Sequence, residues 1–145
     1  MDPWNPTQVT RTDGLGVQSV LAWQRDAGSN RALILSTSGD CPSCGLGPNV
    51  QMQYDDAANP LLPTRHVDGR GTVTLFAYNA NGQMTSRTEA FATPLERTTT
   101  WQYDATFPAL TKAVERPSTS GSGVRRTEWI RDAFGNATER HEEGV

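Results

Sequence analysis

The sequence predicts an all-β chain: an antiparallel β-meander of about five hairpins forming a curved, partly open sheet. Three observations predict it. One short pattern recurs five times along 145 residues. Apolar residues alternate with Thr, Arg and Asp at the period of two that a half-buried strand requires. No stretch carries the 3.6-residue periodicity of an amphipathic helix.

The recurring pattern is a bulky residue, a spacer, Tyr or Arg, then Asp or Asn and a turn. Its copies are Trp23-Gln24-Arg25-Asp26, Met52-Gln53-Tyr54-Asp55, Phe76-Ala77-Tyr78-Asn79, Trp101-Gln102-Tyr103-Asp104 and Trp129-Ile130-Arg131-Asp132. The turn position recurs at 26, 55, 79, 104 and 132, in steps of 24 to 29 residues. A period of that length marks a repeat architecture, in which each unit is one supersecondary element. Repeats of this kind build a surface or a container more readily than a single catalytic centre.

The first copy, near 16–37, has the turn Asp26-Ala27-Gly28-Ser29-Asn30, with its glycine one place early. The second, near 48–67, turns at Asp55-Asp56-Ala57-Ala58-Asn59, where Asn59 is the residue best able to take a positive φ. The third, near 71–90, shows the design most plainly. Thr72, Thr74, Phe76 and Tyr78 fall on one strand face, and Val73, Leu75 and Ala77 on the other. Asn79-Ala80-Asn81-Gly82 then reads as a hairpin turn with Gly82 left-handed, and Met84 to Glu89 returns. The fourth copy, near 96–116, has no glycine after Asp104 and calls for a different loop. The fifth, near 123–142, repeats the third with Asp132-Ala133-Phe134-Gly135.

Glycine pairs at Asp13-Gly14-Leu15-Gly16, Gly45-Leu46-Gly47-Pro48 and Asp68-Gly69-Arg70-Gly71 mark the reversals between hairpins. Pro117 to Gly123 reads as a flexible, exposed loop. All five copies fit a single domain over 1–145. Trp23, Met52, Phe76, Trp101 and Trp129 form a column of core-facing side chains, each worth about 1.5–3 kcal/mol if fully buried. Arg25 and Arg131 replace the tyrosine in the terminal copies, which fits the more polar end repeats of an array and random drift equally well.

Composition narrows the function classes. The hydrophobic fraction is 35% and the mean hydropathy −0.58, which suits thin alternating strands. The net charge is −3 with both signs interspersed; without a basic patch, nucleic-acid binding has no support. No apolar run reaches membrane-spanning length, and no signal peptide is visible at the start.

Cys41-Pro42-Ser43-Cys44 is the only CxxC. It reads as a structural loop, reduced or disulfide-bonded, with a metal site or a redox pair as alternatives. A structural zinc needs four ligands, and the chain offers only His66 and His141 besides the two cysteines. A redox motif calls for a βαβ context that the pattern lacks. A Cys44–His66 nucleophile–base pair has no orienting group or oxyanion donor to complete it. Asp13 and Asp68 read as turn residues rather than calcium ligands, since their loops lack dense carboxylates. No catalytic residue and no cofactor are expected. The aromatic positions can stack on sugars, but at strand period they serve sheet packing first.

These repeats resemble the Rhs/YD-repeat family. The resemblance is carried by Tyr78-Asn79-Ala80-Asn81-Gly82-Gln83-Met84-Thr85-Ser86-Arg87 and Asp132-Ala133-Phe134-Gly135-Asn136-Ala137-Thr138-Glu139-Arg140, with Tyr54-Asp55 and Tyr103-Asp104 keeping the naming pair. It implies a ribbon of β-hairpins spiralling into a hollow shell, as in bacterial polymorphic toxins, Tc-type toxin complexes and teneurins. The implied role is a structural segment of such a wall in a toxin or surface protein, exported or at the cell surface as part of a larger chain. Its partners would be neighbouring repeats, other copies of the chain, or an enclosed toxin domain. The alternative is a module that binds carbohydrate or a cell-surface partner through the aromatic sheet face. Five hairpins are fewer than a closed shell needs, and the Asp-Pro segment at which many such cores are cleaved is absent from the C-terminal part.

Overall fold

A computed structural model describes residues 7–39, 48–117 and 123–144. They contain eleven strands and no helix: β1 (Gln8–Thr12), β2 (Gln18–Arg25), β3 (Ala32–Ser38), β4 (Pro48–Gln53), β5 (Arg65–Asp68), β6 (Val73–Tyr78), β7 (Met84–Glu89), β8 (Arg97–Tyr103), β9 (Thr111–Pro117), β10 (Val124–Arg131) and β11 (Ala137–Glu143). They form one antiparallel sheet in sequence order, with β1 and β11 as its end strands. The expected all-β meander is therefore what the chain forms. Among the described residues no helix is long and apolar enough to cross a membrane.

The strand absent from the five-hairpin reading is β1. It pairs with β2 from Gln8↔Ala22 to Thr12↔Gln18. The turn at Asp13 therefore closes a hairpin of its own. That turn is the same structure as those at Asp68, Asn79 and Asp132. In each, the N–H of the Asp or Asn donates to the carbonyl four residues on, at 2.9–3.1 Å. The N–H three residues on returns a bond to its carbonyl, at 2.9–3.1 Å. Its side-chain Oδ1 accepts the N–H groups two and four residues on, at 2.8–3.1 Å. The fourth position is always a left-handed glycine, with φ of 81°, 82°, 75° and 88° at Gly16, Gly71, Gly82 and Gly135. This is the three-residue hairpin loop, in which a glycine bulge follows a type I turn.

The chain divides into two compact units, residues 1–75 and 76–145. In the first, one row of one sheet face runs Val9–Leu21–Thr37–Val50–Asp68 across β1 to β5. The next row on the opposite face runs Gln8–Ala22–Ser36–Gln51–Val67–Val73. A bulge between Ala22 and Trp23 shifts the register, bringing Gln24 opposite Leu33, which is buried at 7% exposure. In the second unit Trp101, Val114 and Thr127 share a row on β8, β9 and β10. Gln102, Ala113, Glu128 and His141 share the adjacent row on the other face.

Ala113 and Val114, consecutive and on opposite faces, are both buried, at 1% and 6%. With Leu33 they are the buried apolar core among the described residues. Trp23, Met52, Phe76, Trp101 and Trp129 are half-buried. A core this thin draws its stability from cross-strand neighbours, each pair worth about 0.2–1 kcal/mol.

On the polar face of the second unit, Arg126 bridges β10 to β9 by reaching Glu115 at 2.6 Å, and also binds Glu128 at 3.2 Å. Such half-exposed pairs fix register more than they add stability.

Three tips of the repeat copies depart from the repeating turn. In the first copy Asp26 accepts the Ser29 N–H and hydroxyl at 2.7 Å, and the left-handed residue is Asn30 at φ 56°. In the second copy the organising carboxylate is Asp56. It accepts the Ala58 N–H at 2.9 Å and the Asn59 Nδ2–H at 2.8 Å. Asn59 is buried there and is not among the left-handed residues Asn30, Ala90 and Ala92, contrary to the expectation for this turn. In the fourth copy Asp104 holds a wide loop, accepting the Thr106 and Phe107 N–H groups, while its own N–H donates to Leu110.

Candidate functional site

The five turns that follow the repeat pattern close β2–β3, β4–β5, β6–β7, β8–β9 and β10–β11. The chemistry of each unit concentrates where successive tips meet.

In the second unit the tips are sealed to one another. The Asn79 Nδ2–H donates to Gln83 Oε1 at 2.8 Å, and Gln83 Nε2–H reaches across to the Pro108 carbonyl on the next tip. The Phe107 ring of that tip lies over Gly135 on the following one. A Cβ added at Gly135 would stand 3.3 Å from ring carbons.

Two further bonds stitch the fourth and fifth hairpins each to its predecessor. The Tyr103 hydroxyl on β8 donates to the Met84 carbonyl, the first residue of β7, at 2.8 Å. Arg131 on β10 donates to the Thr111 carbonyl, the first residue of β9, at 3.0 Å. It also binds the Gly135 carbonyl at 3.1 Å. Arg131 thus performs in the fifth copy the stitch that Tyr103 makes in the fourth, although its Nε is buried without a partner. Burial raises the Tyr103 pKa above its ordinary value of 10.0, which keeps the donated proton in place.

In the first unit the corresponding pair of tips leaves a cleft of about 510 Å³. Asp26, Gly28, Ser29 and Arg31 form one side; Asn59, Pro60, Leu61 and Leu62 form the other. Arg25, at the position of Arg131, turns back onto its own loop, donating to the Asn30 carbonyl at 3.1 Å. The Tyr54 hydroxyl lies 3.5 Å from the Met52 sulfur.

The carboxylates of Asp26, Asp56, Asp68, Asp104 and Asp132 are held ionised by their own loops. Asp26 sits below the ordinary 3.8 because of the Ser29 hydroxyl first and its backbone N–H second. Asp56 is lowered first by the Asn59 side chain, and Asp68 by the Thr72 N–H. Asp104 is lowered first by the Phe107 N–H, and Asp132 by the Asn136 side chain. These groups serve as acceptors for their own loops.

The structure brings together Tyr103, Asp104, Asp132 and Gly135 around the sealed tips of the second unit, with Asn79 and Gly82 forming the neighbouring turn. It places Asp26 at the cleft. Asp55 lies next to the organising carboxylate, its N–H donating to Thr64 Oγ1 at 3.2 Å. His66 stands on β5 between Met52 and Thr74, and His141 on β11 pairs with Glu139 at 2.8 Å. Cys41 and Cys44, Gly45 to Gly47 of the expected turn and most of the Pro117–Gly123 loop lie outside the described residues. Among the described residues no three His, Cys, Asp or Glu side chains cluster as a metal site would require.

Phe107, Gln83, Asp56 and Arg31 were not singled out from sequence. Phe107 and Gln83 act on residues 28 and 25 positions away, and no local signal announces such partners. Asp56 had a signal, since Asp-x-x-Asn matches a turn as well as Asp55 does. A scan against family models matched none, and a search of curated proteins also returned no match.

Proposed function

We propose that this chain is a non-catalytic structural segment of YD-repeat type. It would wall off or support a neighbouring domain within a larger exported or surface protein. One observation carries the proposal: in the second unit equivalent positions of the fourth and fifth hairpins make equivalent stitches, Tyr103 to the head of β7 and Arg131 to the head of β9. Such bonds join one repeat to the next, and a chain built on them extends by adding hairpins. In the second unit the Asp104 and Asp132 carboxylates accept from their own loops, which suits a mechanical role. The alternative, binding sugars through the aromatic face, has less support. Trp23, Trp101 and Trp129 are half-buried, and none is among the exposed large apolar residues.

The end strands are the natural places for extension, because an edge presents unpaired backbone groups. They are not equivalent. β11 carries Glu139, Arg140, His141, Glu142 and Glu143, a charged edge of the kind that resists pairing. β1 is five exposed residues with a single charge, Arg11. Pairing therefore falls to β1, either with a preceding hairpin or with another copy. Hydrogen exchange at rising protein concentration tests it. Amides of β1 should gain protection, and Val9→Lys, a charge on the edge strand, should abolish the gain without lowering the melting temperature. Protection of β1 that ignores concentration would count against the reading.

A further inference from the structure

We infer that the cleft in the first unit is a docking site for a partner's peptide segment carrying an aromatic side chain beside a carboxylate. The inference stands apart from the wall reading, because it rests on the cleft alone. The molecule shows what fills such a place. Between the tips of the second unit the phenyl ring of Phe107 lies against Gly135, where an added Cβ would stand 3.3 Å from ring carbons. In the first unit Gly28 faces no such ring. The nearest atom to a Cβ placed there is the Asp26 carboxylate, at 3.5 Å.

Pro60, Leu61 and Leu62 supply an apolar wall opposite. At about 510 Å³ the cleft lies within the range of sites that hold small ligands. It exceeds what one ring needs and leaves room for flanking backbone.

The polar groups select the rest of the occupant. Arg31 lines the cleft, and among the described residues its guanidinium makes no hydrogen bond or ion pair. A planar cation in that setting pairs with a carboxylate and stacks on an aromatic face. Asp26 stands on the same side. Ser29 occupies its Oδ2, and a carboxylate has about four lone-pair sites. The remaining capacity suits a peptide N–H. An N–H donor, a ring and a carboxylate together describe a peptide rather than a hydrocarbon or a free anion.

Amide chemical shifts of the isotope-labelled chain, titrated with three probes, test this. The probes are N-acetylphenylalanine, its methylamide, and a blocked glycyl-phenylalanyl-aspartyl-glycine peptide. The free acid and the peptide should move the amides of 26–31 and of 59 to 62 (except Pro60) saturably. The methylamide should bind about five-fold more weakly. Arg31→Gln, an exposed substitution, should weaken the acid about five-fold and leave the methylamide unchanged. Equal binding of acid and methylamide, shifts confined to other residues, silence of the peptide, or no saturation with any probe would overturn the inference.

Discussion

The two units solve one problem differently. Each has consecutive hairpin tips that must be reconciled at one end of their strands. In the second unit the Gln83 amide and the Phe107 ring close the gaps between tips. In the first, the loops at 26–31 and 59–62 stand apart around a cleft. The repeat pattern is shared, so the difference lies in the loops. A wide loop on Asp104 projects Phe107 toward its neighbour. The loop on Asp56 instead turns Asn59 inward, where it is buried. The same hairpin scaffold therefore supports either a sealed junction or a receptive one, decided by a few loop residues.

The largest effect should come from acid, which strikes what the two units share. Asp26, Asp56, Asp68, Asp104 and Asp132 all have folded pKa values below the ordinary 3.8. A lowered folded pKa favours the ionised form in the fold. The stability it contributes is complete above the unfolded value and is lost as pH falls through the folded one. As far as these carboxylates govern it, chemical denaturation should thus show constant stability down to about pH 5 and a loss that begins below about pH 4. A plateau continuing to pH 2 would mean that these turns do not hold the hairpins.

Next in size is Gly135→Ala, set beside Gly16→Ala. Both glycines are left-handed, so each alanine costs about 1–2 kcal/mol in backbone strain. Only Gly135 has a ring above it; the space around Gly16 is open. Urea unfolding should find the Gly135 variant worse by about a further 1 kcal/mol, the usual scale of overpacking. Equal losses would show that Phe107 seals nothing.

Phe107→Ala should destabilise by about 1.5–2 kcal/mol, below the value for a fully buried phenylalanine because this ring is half-buried. It should also speed exchange of the Gly135 amide. Leu61→Ala, on the open cleft, should cost under about 1 kcal/mol, since the half-buried side chain is shed into space already open. A Leu61 loss equal to that of Phe107 would erase the distinction between the units.

How much of this the chain announces in advance depends on range. Asn79-Ala80-Asn81-Gly82 and Asp132-Ala133-Phe134-Gly135 were legible as turns because every bond in them is local. Asp13-Gly14-Leu15-Gly16 carries the same spacing, and a turn there requires a strand on its far side. Reading its glycines as a mere reversal concealed β1. The sealed junction was not legible, because Phe107 and Gly135 meet through the fold of two separate loops. Nor was the burial of Asn59, which depends on the whole loop from Asp56 to Leu62. The column of Trp23, Met52, Phe76, Trp101 and Trp129 was placed on the right strands, but a sheet with so thin a core leaves all five half-buried.

Absolute mass by light scattering, followed across protein concentration, tests the wall reading most directly. An end strand such as β1 should draw copies together. The mass should then climb above 15.8 kDa as concentration rises, and Val9→Lys should hold it there. A parent chain that stays at 15.8 kDa at every concentration would contradict the reading and identify a self-sufficient module.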